Sequence, residues 1–209
     1  MHTHIFTENQ KSVLELLSQL EIVSGFYLAG GTALALHFGH RQSLDFDFFK
    51  EQPFVIDAVL NKLNQMAETD VRVKEENTLL ILIEGISCSF FRYPYPLLRE
   101  KFDFRKNVKL ASTADIAAMK ISAISTRGTK RDFVDLFFIC EKEYSLQEVL
   151  KFYQEKFKVW NHDLYHVYKS LMYFGDAEDD AMPVMYVETN WNTIKNFFEN
   201  QVKELMRSN

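Results

Sequence analysis

The sequence predicts an α+β fold in which a mixed β-sheet flanked by helices is followed by a helical C-terminal half. Short apolar and β-branched runs occur throughout residues 27–110, whereas residues 111–209 carry helix-start signals and helical periodicity. The 209 residues include only seven Gly and four Pro, which favours ordered structure with few long connections. We therefore expect a sheet-containing core over residues 1–110 and a helical region over residues 111–209 that packs on this core.

The elements of the first part follow from local signals. Thr7–Gln10 is a capping box ahead of an amphipathic helix. GFYLAGG predicts a short strand that ends in two glycines, TALALHFG predicts a short helix, and SLDFDFFK predicts a second strand. A helix is expected near residues 55–66. After it, turns at Asn77 and Glu84–Gly85 separate three β-rich runs into a meander, and one more strand is expected at residues 106–110.

The C-terminal half contains three clear helix starts. They are indicated by Thr113-Ala-Asp115, by a capping box at Ser145–Glu148 and by Asn190. The acidic run GDAEDD at residues 175–180 is interpreted as a solvated loop.

Composition and charge restrict the classes to which the chain can belong. The formal net charge is −5, which argues against a broad, non-specific DNA-binding protein. The first ten residues lack a basic start followed by an apolar core, and no apolar stretch approaches the ~20 residues that span a bilayer. Cys88 and Cys140 lie in apolar runs, without the spacing of a metal knuckle or a disulfide framework. We expect a cytoplasmic protein with no membrane contact.

Two acidic residues alternate with aromatic residues in SLDFDFFK. Asp45 and Asp47 point to one face of the predicted strand, while Phe46 and Phe48 point to its apolar face. Cβ atoms ~7 Å apart on one face allow two carboxylates to hold one or two magnesium ions. Scattered solvent-exposed acids are the alternative, but unpaired charges are costly on a core strand. We interpret Asp45 and Asp47 as ligands for Mg²⁺ or Mn²⁺.

A pair of glycines precedes this strand at a position suited to phosphate binding. Gly30 and Gly31 follow a predicted strand directly and, with Thr32, open a helix whose bare backbone amides can receive phosphate oxygens. Twelve residues separate Thr32 from Asp45. This spacing predicts a phosphate cradle beside the acidic pair.

These motifs resemble those of a known group of proteins. Gly followed by Ser or Thr and then, at this distance, by an acid-apolar-acid-apolar strand resembles the signature of the DNA polymerase beta-like nucleotidyltransferase superfamily. More narrowly, GGTALALHFGHRQSLDFDFF is similar to the AbiEii/AbiGii branch of nucleotidyltransferase-like toxins, with His40, Arg41 and Ser43 matching G-H-R-x-S. TADIAAMKISAISTRGTKRDFVDLFFI is similar to a later segment of that family. The resemblance covers residues 27–49 and 113–139.

The resemblance implies a metal-dependent nucleotidyltransferase that moves a nucleotide from a nucleoside triphosphate to an RNA or protein acceptor. It also implies the toxin of a toxin–antitoxin or phage-defence system, with an antitoxin encoded nearby as a candidate partner. The residues assigned to nucleotide binding are Gly30, Gly31, Thr32, Arg41, Ser43, Arg127, Lys130 and Arg131.

Two cations lie in the core-facing stripe of the helix that begins near Thr113. Lys120 and Arg127 are seven residues apart and therefore fall within about 20° of each other on a helix. A buried cation needs an anionic partner. Substrate phosphate with the metal-bound acids is one candidate partner, and a fixed ion pair with Asp132 or Asp135 is another. The resemblance assigns to Lys120 the stabilisation of charge on the transferring phosphate.

Asp132 and Asp135 open the next predicted helix, which is apolar nearly all round. Helix capping and the helix dipole could explain both acids. An Asp at this place could instead orient Lys120 or accept the proton of the acceptor. The candidate catalytic residues are Asp45, Asp47, Lys120 and Asp132.

The sequence departs from the wider superfamily at one position. Many such enzymes place a third carboxylate on a later strand beside the acidic pair, whereas ISCSFFRYPY carries Ser87 and Ser89 there. Two acids alone should bind magnesium weakly and bind it better together with triphosphate. The rival hypothesis is a degenerate module that binds nucleotide or a partner protein without turnover. We also expect Lys120 to approach the acids across a cleft, and its replacement to leave stability unchanged or to raise it.

Overall fold

Seven strands form one mixed sheet in the computed structural model, which describes residues 1–159 and 164–208. The strands are β1 (Tyr27–Ala29), β2 (Phe46–Lys50), β3 (Thr69–Glu75), β4 (Thr78–Ile83), β5 (Ile86–Arg92), β6 (Phe102–Arg105) and β7 (Val108–Leu110). The α-helices described are α1 (Glu8–Gln19), α2 (Gly30–Phe38), α3 (Ile56–Leu63), α4 (Thr113–Thr126), α5 (Lys130–Lys142), α6 (Leu146–Phe157), α7 (Leu164–Leu171), α8 (Gly175–Glu178) and α9 (Trp191–Ser208).

The spatial order of the strands is β3-β4-β5-β2-β1-β7-β6. The pairs β2–β5 and β1–β7 are parallel, and the other neighbouring pairs are antiparallel. The predicted meander is present, with its turns at Asn77 (φ 62°) and at Glu84–Gly85 (φ 50° and 78°). The α+β class predicted from the sequence is confirmed.

One face of the sheet is closed by aromatic packing. Phe46, Phe48 and Phe90 are fully buried on this face. The ring of Phe6 lies 5.6 Å from that of Phe46, and the ring of Phe26 lies 5.3 Å from that of Phe90. The N-terminal segment is thereby fixed against this face, and the acids that alternate with these phenylalanines belong to the opposite face.

The predicted helix caps are present at atomic level. Both hydrogen bonds of the capping boxes form at Thr7–Gln10 and at Ser145–Glu148. The Asn190 side chain accepts a hydrogen bond from the backbone N–H of Thr193 at the start of α9. Helix α4 begins at Thr113 as expected, and Ser112 is the residue that caps it.

Two predictions of local structure were incomplete. The strand expected at residues 106–110 is the second arm of a hairpin, because FDFR at Phe102–Arg105 also pairs as an edge strand. The acidic run at residues 175–180 is not only a loop, because Gly175–Glu178 forms the short helix α8. The Glu178 carboxylate accepts from Trp191 and Lys195, which fixes α8 against α9.

The helical half contacts the first part of the chain mainly through α4 and α5. Both helices contact α2, and α4 also contacts α5, α6 and α7. The expected boundary at residues 110/111 falls between β7 and α4. One hydrophobic core contains residues from both sides of this boundary, so the division into two domains stays a prediction. No helix in the described part of the chain is long and apolar enough to cross a membrane.

Candidate active site

The acidic pair lies at the start of β2, on the face opposite the buried phenylalanines. Asp45 and Asp47 are half-buried, while Phe46 and Phe48 between and after them are 0% exposed. Asp45 lies one residue before the strand and not within it as expected. Its carboxylate has no hydrogen bond or ion pair with the residues that the structure describes, so its oxygens are available to a ligand.

The electrostatic environment of Asp47 disfavours its ionised form. Burial raises the pKa of Asp47, and the nearby Asp45 raises it further. The neighbouring Ser89 side chain and the charges of Lys120 and Arg127 lower the pKa of Asp47 without cancelling this effect. A bound cation would relieve the repulsion between the two acids.

The N-terminus of α2 lies directly against Asp47. Gly30 has φ +67°, and a Cβ atom there would come within 3.0 Å of Asp47 Oδ2. At Gly31 a Cβ atom would come within 2.3 Å of Arg41 Nη2. Both positions therefore require glycine, for backbone conformation at the first and for space at both. No side chain caps this helix, so its first backbone amides are available beside the acids.

Hydrogen bonds hold the segment that leads to the acids. The Thr32 hydroxyl donates to the carbonyl oxygen of Asp45 and lies 2.8 Å from the Ser43 hydroxyl. The Gln10 amide donates to the carbonyl oxygen of Ser43 at 2.8 Å. Thr32 and Ser43 thus fix the acids relative to the start of α2, which brings these sequence-predicted residues together.

Asp135 of α5 is the centre of a buried ionic cluster. Its carboxylate accepts two hydrogen bonds from Arg41, at 2.7 Å from Nε and 2.8 Å from Nη2. Lys120 Nζ lies 2.6 Å from it, and His40 Nε2 lies 2.8 Å from it. Burial alone would raise the pKa of Asp135, but Arg41 and Lys120 hold it well below its usual range. Burial lowers the pKa of His40 despite its bond to Asp135, so His40 is neutral.

Asp132 holds the other side of the same lysine. Its carboxylate accepts from Lys120 Nζ at 2.9 Å, from Arg127 Nε at 3.2 Å and from the Thr129 hydroxyl at 2.7 Å. Burial opposes ionisation, but the charges and hydrogen bonds of Lys120 and Arg127 outweigh it and lower the pKa of Asp132 to about 2. A carboxylate with so low a pKa is a poor proton acceptor near neutral pH. The geometry therefore favours the orienting role for Asp132 over the proton-accepting one.

Lys120 forms no ion pair with Asp45 or Asp47, and it influences Asp47 through its charge. Its ion pairs are with Asp132 and Asp135, as in the ion-pair alternative, and its side chain is only 8% exposed. Its charge nevertheless lowers the pKa of Asp47, as does that of Arg127. The Arg127 side chain is 66% exposed and is accessible to an anionic ligand.

Lys130 and Arg131 do not join this cluster. The Lys130 ammonium donates to the carbonyl oxygens of Glu178 and Asp180 and lies 5.1 Å from the centre of the Trp191 ring. These contacts fix α5 to the end of α8 and to the segment that follows it, so Lys130 has a structural partner in place of phosphate. Arg131 is exposed and forms no ion pair within the described ranges, residues 1–159 and 164–208.

The donor set fits a hard divalent cation with few protein ligands. Asp45 and Asp47 supply carboxylate oxygens, and Gly30 leaves Asp47 Oδ2 unobstructed where a Cβ atom would crowd it. No group of three or more His, Cys, Asp or Glu side chains suited to a metal occurs within the described residues. Magnesium commonly takes one or two carboxylates together with water and substrate phosphates, which matches this arrangement.

Sequence reasoning left out two residues of the site. Asp135 was weighed as a capping residue and as an ion-pair partner but was not listed among the site residues, although its position three residues after Asp132 places both acids on one side of α5. Ser89 was noted only as a missing acid, whereas the structure pairs it directly with Asp47. The register between β2 and β5 was needed to place Ser89 beside Asp47, and the periodicity of a single strand does not reveal that register.

Comparison with known proteins identifies the family of the chain. Residues 13–104 and 81–207 match the sequence model of the nucleotidyl transferase AbiEii toxin of type IV toxin–antitoxin systems. The chain belongs to the AbiEii family. This finding confirms the resemblance seen in the glycine, acid and lysine motifs, and it makes the chain a member of a family of nucleotidyltransferase toxins.

Relatives of this AbiEii family member include a protein of Aquifex aeolicus strain VF5 without known function. The two are 38% identical over 208 residues, covering 96% of this chain and 98% of that protein. A structure from H. pylori, assigned as a nucleotidyltransferase, has a TM-score of 0.56 and 14% identity over 98% of this chain and 99% of that one. MenT4, a nucleotidyltransferase toxin from Mycobacterium tuberculosis H37Rv, has a TM-score of 0.56 and 16% identity over 85% and 74% of the chains. These two structures share the fold.

The ion pairs predict that Lys120→Ala lowers stability, in place of the unchanged or raised stability expected from the sequence. The substitution leaves Asp132 and Asp135 buried without their shared cation, which costs about 3 kcal/mol or more. Arg127→Ala is the matched control, because it removes a more exposed cation from Asp132 and should cost about 1 kcal/mol or less. Urea unfolding at pH 7 measures both, and equal effects would contradict the buried cluster.

The low pKa of Asp132 predicts a pH-dependent contribution to stability. A fall from 3.8 to about 2 on folding corresponds to about 2 kcal/mol, present above pH 4 and lost as the pH falls toward 2. Asp132→Asn should therefore be less stable than the parent near neutral pH, and the difference should shrink through this window. Unfolding free energies between pH 2 and 6 test this. Asp179→Asn, which changes an exposed carboxylate, should show no such trend.

Proposed function

We propose that the chain transfers a nucleotidyl group from a nucleoside triphosphate to a hydroxyl group of RNA or protein, and acts as the toxin of its pair. The observation that carries this proposal is the contact between the N-terminus of α2 and Asp47. Backbone amides without a side-chain cap, a group suited to phosphate, lie there beside two carboxylates, a group suited to a divalent cation. A triphosphate with bound magnesium is complementary to this arrangement, because its phosphates suit the amides and its cation suits the carboxylates.

The site supports one orientation of the triphosphate. Gly30, Gly31 and Thr32 open α2 directly after β1, and the guanidinium group of Arg41 and the Ser43 hydroxyl lie close to Gly31. We assign the leaving pyrophosphate to the start of α2, where the helix dipole and the Ser43 hydroxyl favour an anion. We place Arg127 near the reacting phosphate, because its exposed guanidinium donates to Asp132, which also holds Lys120.

The transfer forms a bond between the acceptor oxygen and the α-phosphorus, and breaks the bond from that phosphorus to the bridging oxygen of pyrophosphate. The proton of the acceptor hydroxyl passes to solvent water, and pyrophosphate leaves with the electron pair of the broken bond. A bound magnesium ion would supply charge neutralisation at the phosphate oxygens. The protein contributes positioning through Asp45, Asp47 and the start of α2, and positive charge through Lys120 and Arg127.

Lys120 acts in this proposal as a fixed charge. Asp132 and Asp135 hold its ammonium from two sides, so its position does not depend on substrate. Such preorganisation avoids rearrangement as negative charge develops. Asp132 and Asp135 are therefore positioning residues for Lys120, and Asp135 also positions Arg41 behind the phosphate cradle.

A second candidate function is a binding module without turnover. It is favoured by the same ion pairs, because a lysine engaged by two aspartates needs no phosphate to be satisfied. The absence of a third acid within the described residues also favours it. In this case Asp45 and Asp47 would still bind metal and nucleotide, and the cellular effect would arise from occupancy of a partner.

Asp45→Asn separates the two functions. The carboxylate has no protein partner in the described structure, so its neutralisation should leave unfolding free energy unchanged or slightly higher. Nucleotide transfer should fall at least ~100-fold, and toxicity on expression should disappear. The assay follows labelled nucleotide from each of the four nucleoside triphosphates onto cellular RNA and protein. Asp70→Asn on edge strand β3 is the control and should keep full activity.

Retention of full toxicity by a folded Asp45→Asn variant would contradict the enzymatic proposal and support the binding module. Absence of any labelled RNA or protein with the parent chain would have the same consequence. The label also identifies the acceptor, because nuclease removes it from RNA and protease removes it from protein.

Magnesium and nucleotide should bind interdependently. With two carboxylates as the protein ligands, phosphate oxygens must complete the coordination of the ion. Calorimetric titration of the chain with a non-transferable triphosphate analogue should give at least ~10-fold tighter binding in magnesium than in EDTA. Asp45→Asn and Asp47→Asn should each lose this difference. Equal affinity of the parent chain under both conditions would contradict a two-acid metal site.

A further inference from the structure

A cavity of about 400 Å³ lies at the end of β2, apart from the acidic pair. It is enclosed by β2, the short 3-10 helix Glu21–Gly25 and the start of α3. Two of its lining residues, Phe26 and Val59, are buried, and the ring of Phe54 packs 5.0 Å from that of Phe26. Val55 is 70% exposed at the same cavity. The space is therefore apolar inside and open to solvent at its rim.

Lys50 is the charged residue of this cavity, among the residues that the structure describes. It shares the apolar face of β2 with Phe46 and Phe48, because side chains alternate along a strand. Its ammonium lies 5.5 Å from the centre of the Phe26 ring, and a Cβ atom at Gly25 would come within 3.2 Å of Nζ. Within the described residues this ammonium has no hydrogen bond and no ion pair. Its three donors are available to a ligand.

The neighbouring acids do not neutralise Lys50 in the part of the chain that the structure describes. Asp57 of α3 is paired with Lys74 at 2.6 Å. Glu51 follows Lys50 directly, but it is exposed and does not line the cavity. Helix α3 begins at Ile56 without a side-chain cap, so its positive end also lies on this side of the cavity. The local potential favours an anion.

We propose that this cavity binds a small amphipathic carboxylate, with its carboxylate on Lys50 and its aliphatic or aromatic part against Phe26 and Phe54. One lysine matches one singly charged head group. The apolar walls would leave the polar groups of a sugar or a nucleotide without partners, which disfavours both. A mostly apolar cavity with one polar group that fixes orientation is the usual form of a small-molecule site.

This ligand site is separate from the acidic pair. Asp45 and Asp47 leave the opposite face of the sheet, so the carboxylate and a nucleotide would occupy different faces. The proposal therefore does not rest on nucleotidyl transfer. Its test contains neither nucleotide nor magnesium, and absence of transfer by the chain would leave it intact.

Octanoate is the probe, and 1-octanol is its uncharged counterpart. Calorimetric titration of the full chain should show saturable binding of one octanoate, at least ~10-fold tighter than 1-octanol, because only the carboxylate forms a charge-assisted hydrogen bond with Lys50. Octanoate should also raise the melting temperature of the chain.

Three variants locate the site. Lys50→Met keeps an unbranched apolar side chain and should lose the preference for octanoate over 1-octanol. Lys62→Met is the matched control, because this exposed lysine of α3 does not line the cavity, and it should bind octanoate as the parent does. Ala58→Phe fills the cavity from an exposed position and should weaken binding of both probes at least ~10-fold. It leaves Lys50 in place, so the proposal stays testable if Lys50→Met does not fold.

Three results would overturn the proposal: no saturable binding of octanoate to the parent, binding of 1-octanol as tight as that of octanoate, or octanoate binding by a folded Ala58→Phe variant with the affinity of the parent.

Discussion

The buried carboxylate of Asp135 is the contact on which the site depends. It joins three separate parts of the chain: α5 itself, the segment after α2 through His40 and Arg41, and α4 through Lys120. A charge of this kind is tolerated away from water only when its partners surround it, so each of the three parts holds the others in place. The forked guanidinium of Arg41 suits the carboxylate, because it donates two parallel hydrogen bonds.

The same cluster explains why like charges can lie close together at the start of β2. Asp45 and Asp47 repel each other, and burial adds to the cost of ionising Asp47. Lys120 and Arg127 compensate part of this cost from the helical half of the chain. The sheet thus supplies negative charge and the helices supply positive charge, and the two meet where a phosphate group carrying a divalent cation would be complementary to both.

Local patterns were sufficient to predict much of the fold. The capping boxes, the turns of the meander and the strand on which Asp47 lies depend on neighbours within a few residues, which the sequence contains directly. The edge strand Phe102–Arg105 was missed because its FDFR pattern is short and its partner β7 is needed to define it. The partners of Lys130 were missed for a similar reason, since Asp180 lies 50 residues away in sequence.

The sequence by itself determined the chemistry of the site: the family, the acidic pair, the glycines that open α2 and the presence of a cation on a core-facing helical stripe. Tertiary structure decided what each of these groups touches. It placed Lys120 between Asp132 and Asp135 and not against Asp45 and Asp47, and it set Ser89 beside Asp47. The physical reason is that composition and periodicity specify which face a side chain occupies, whereas register and helix packing specify which distant face it meets.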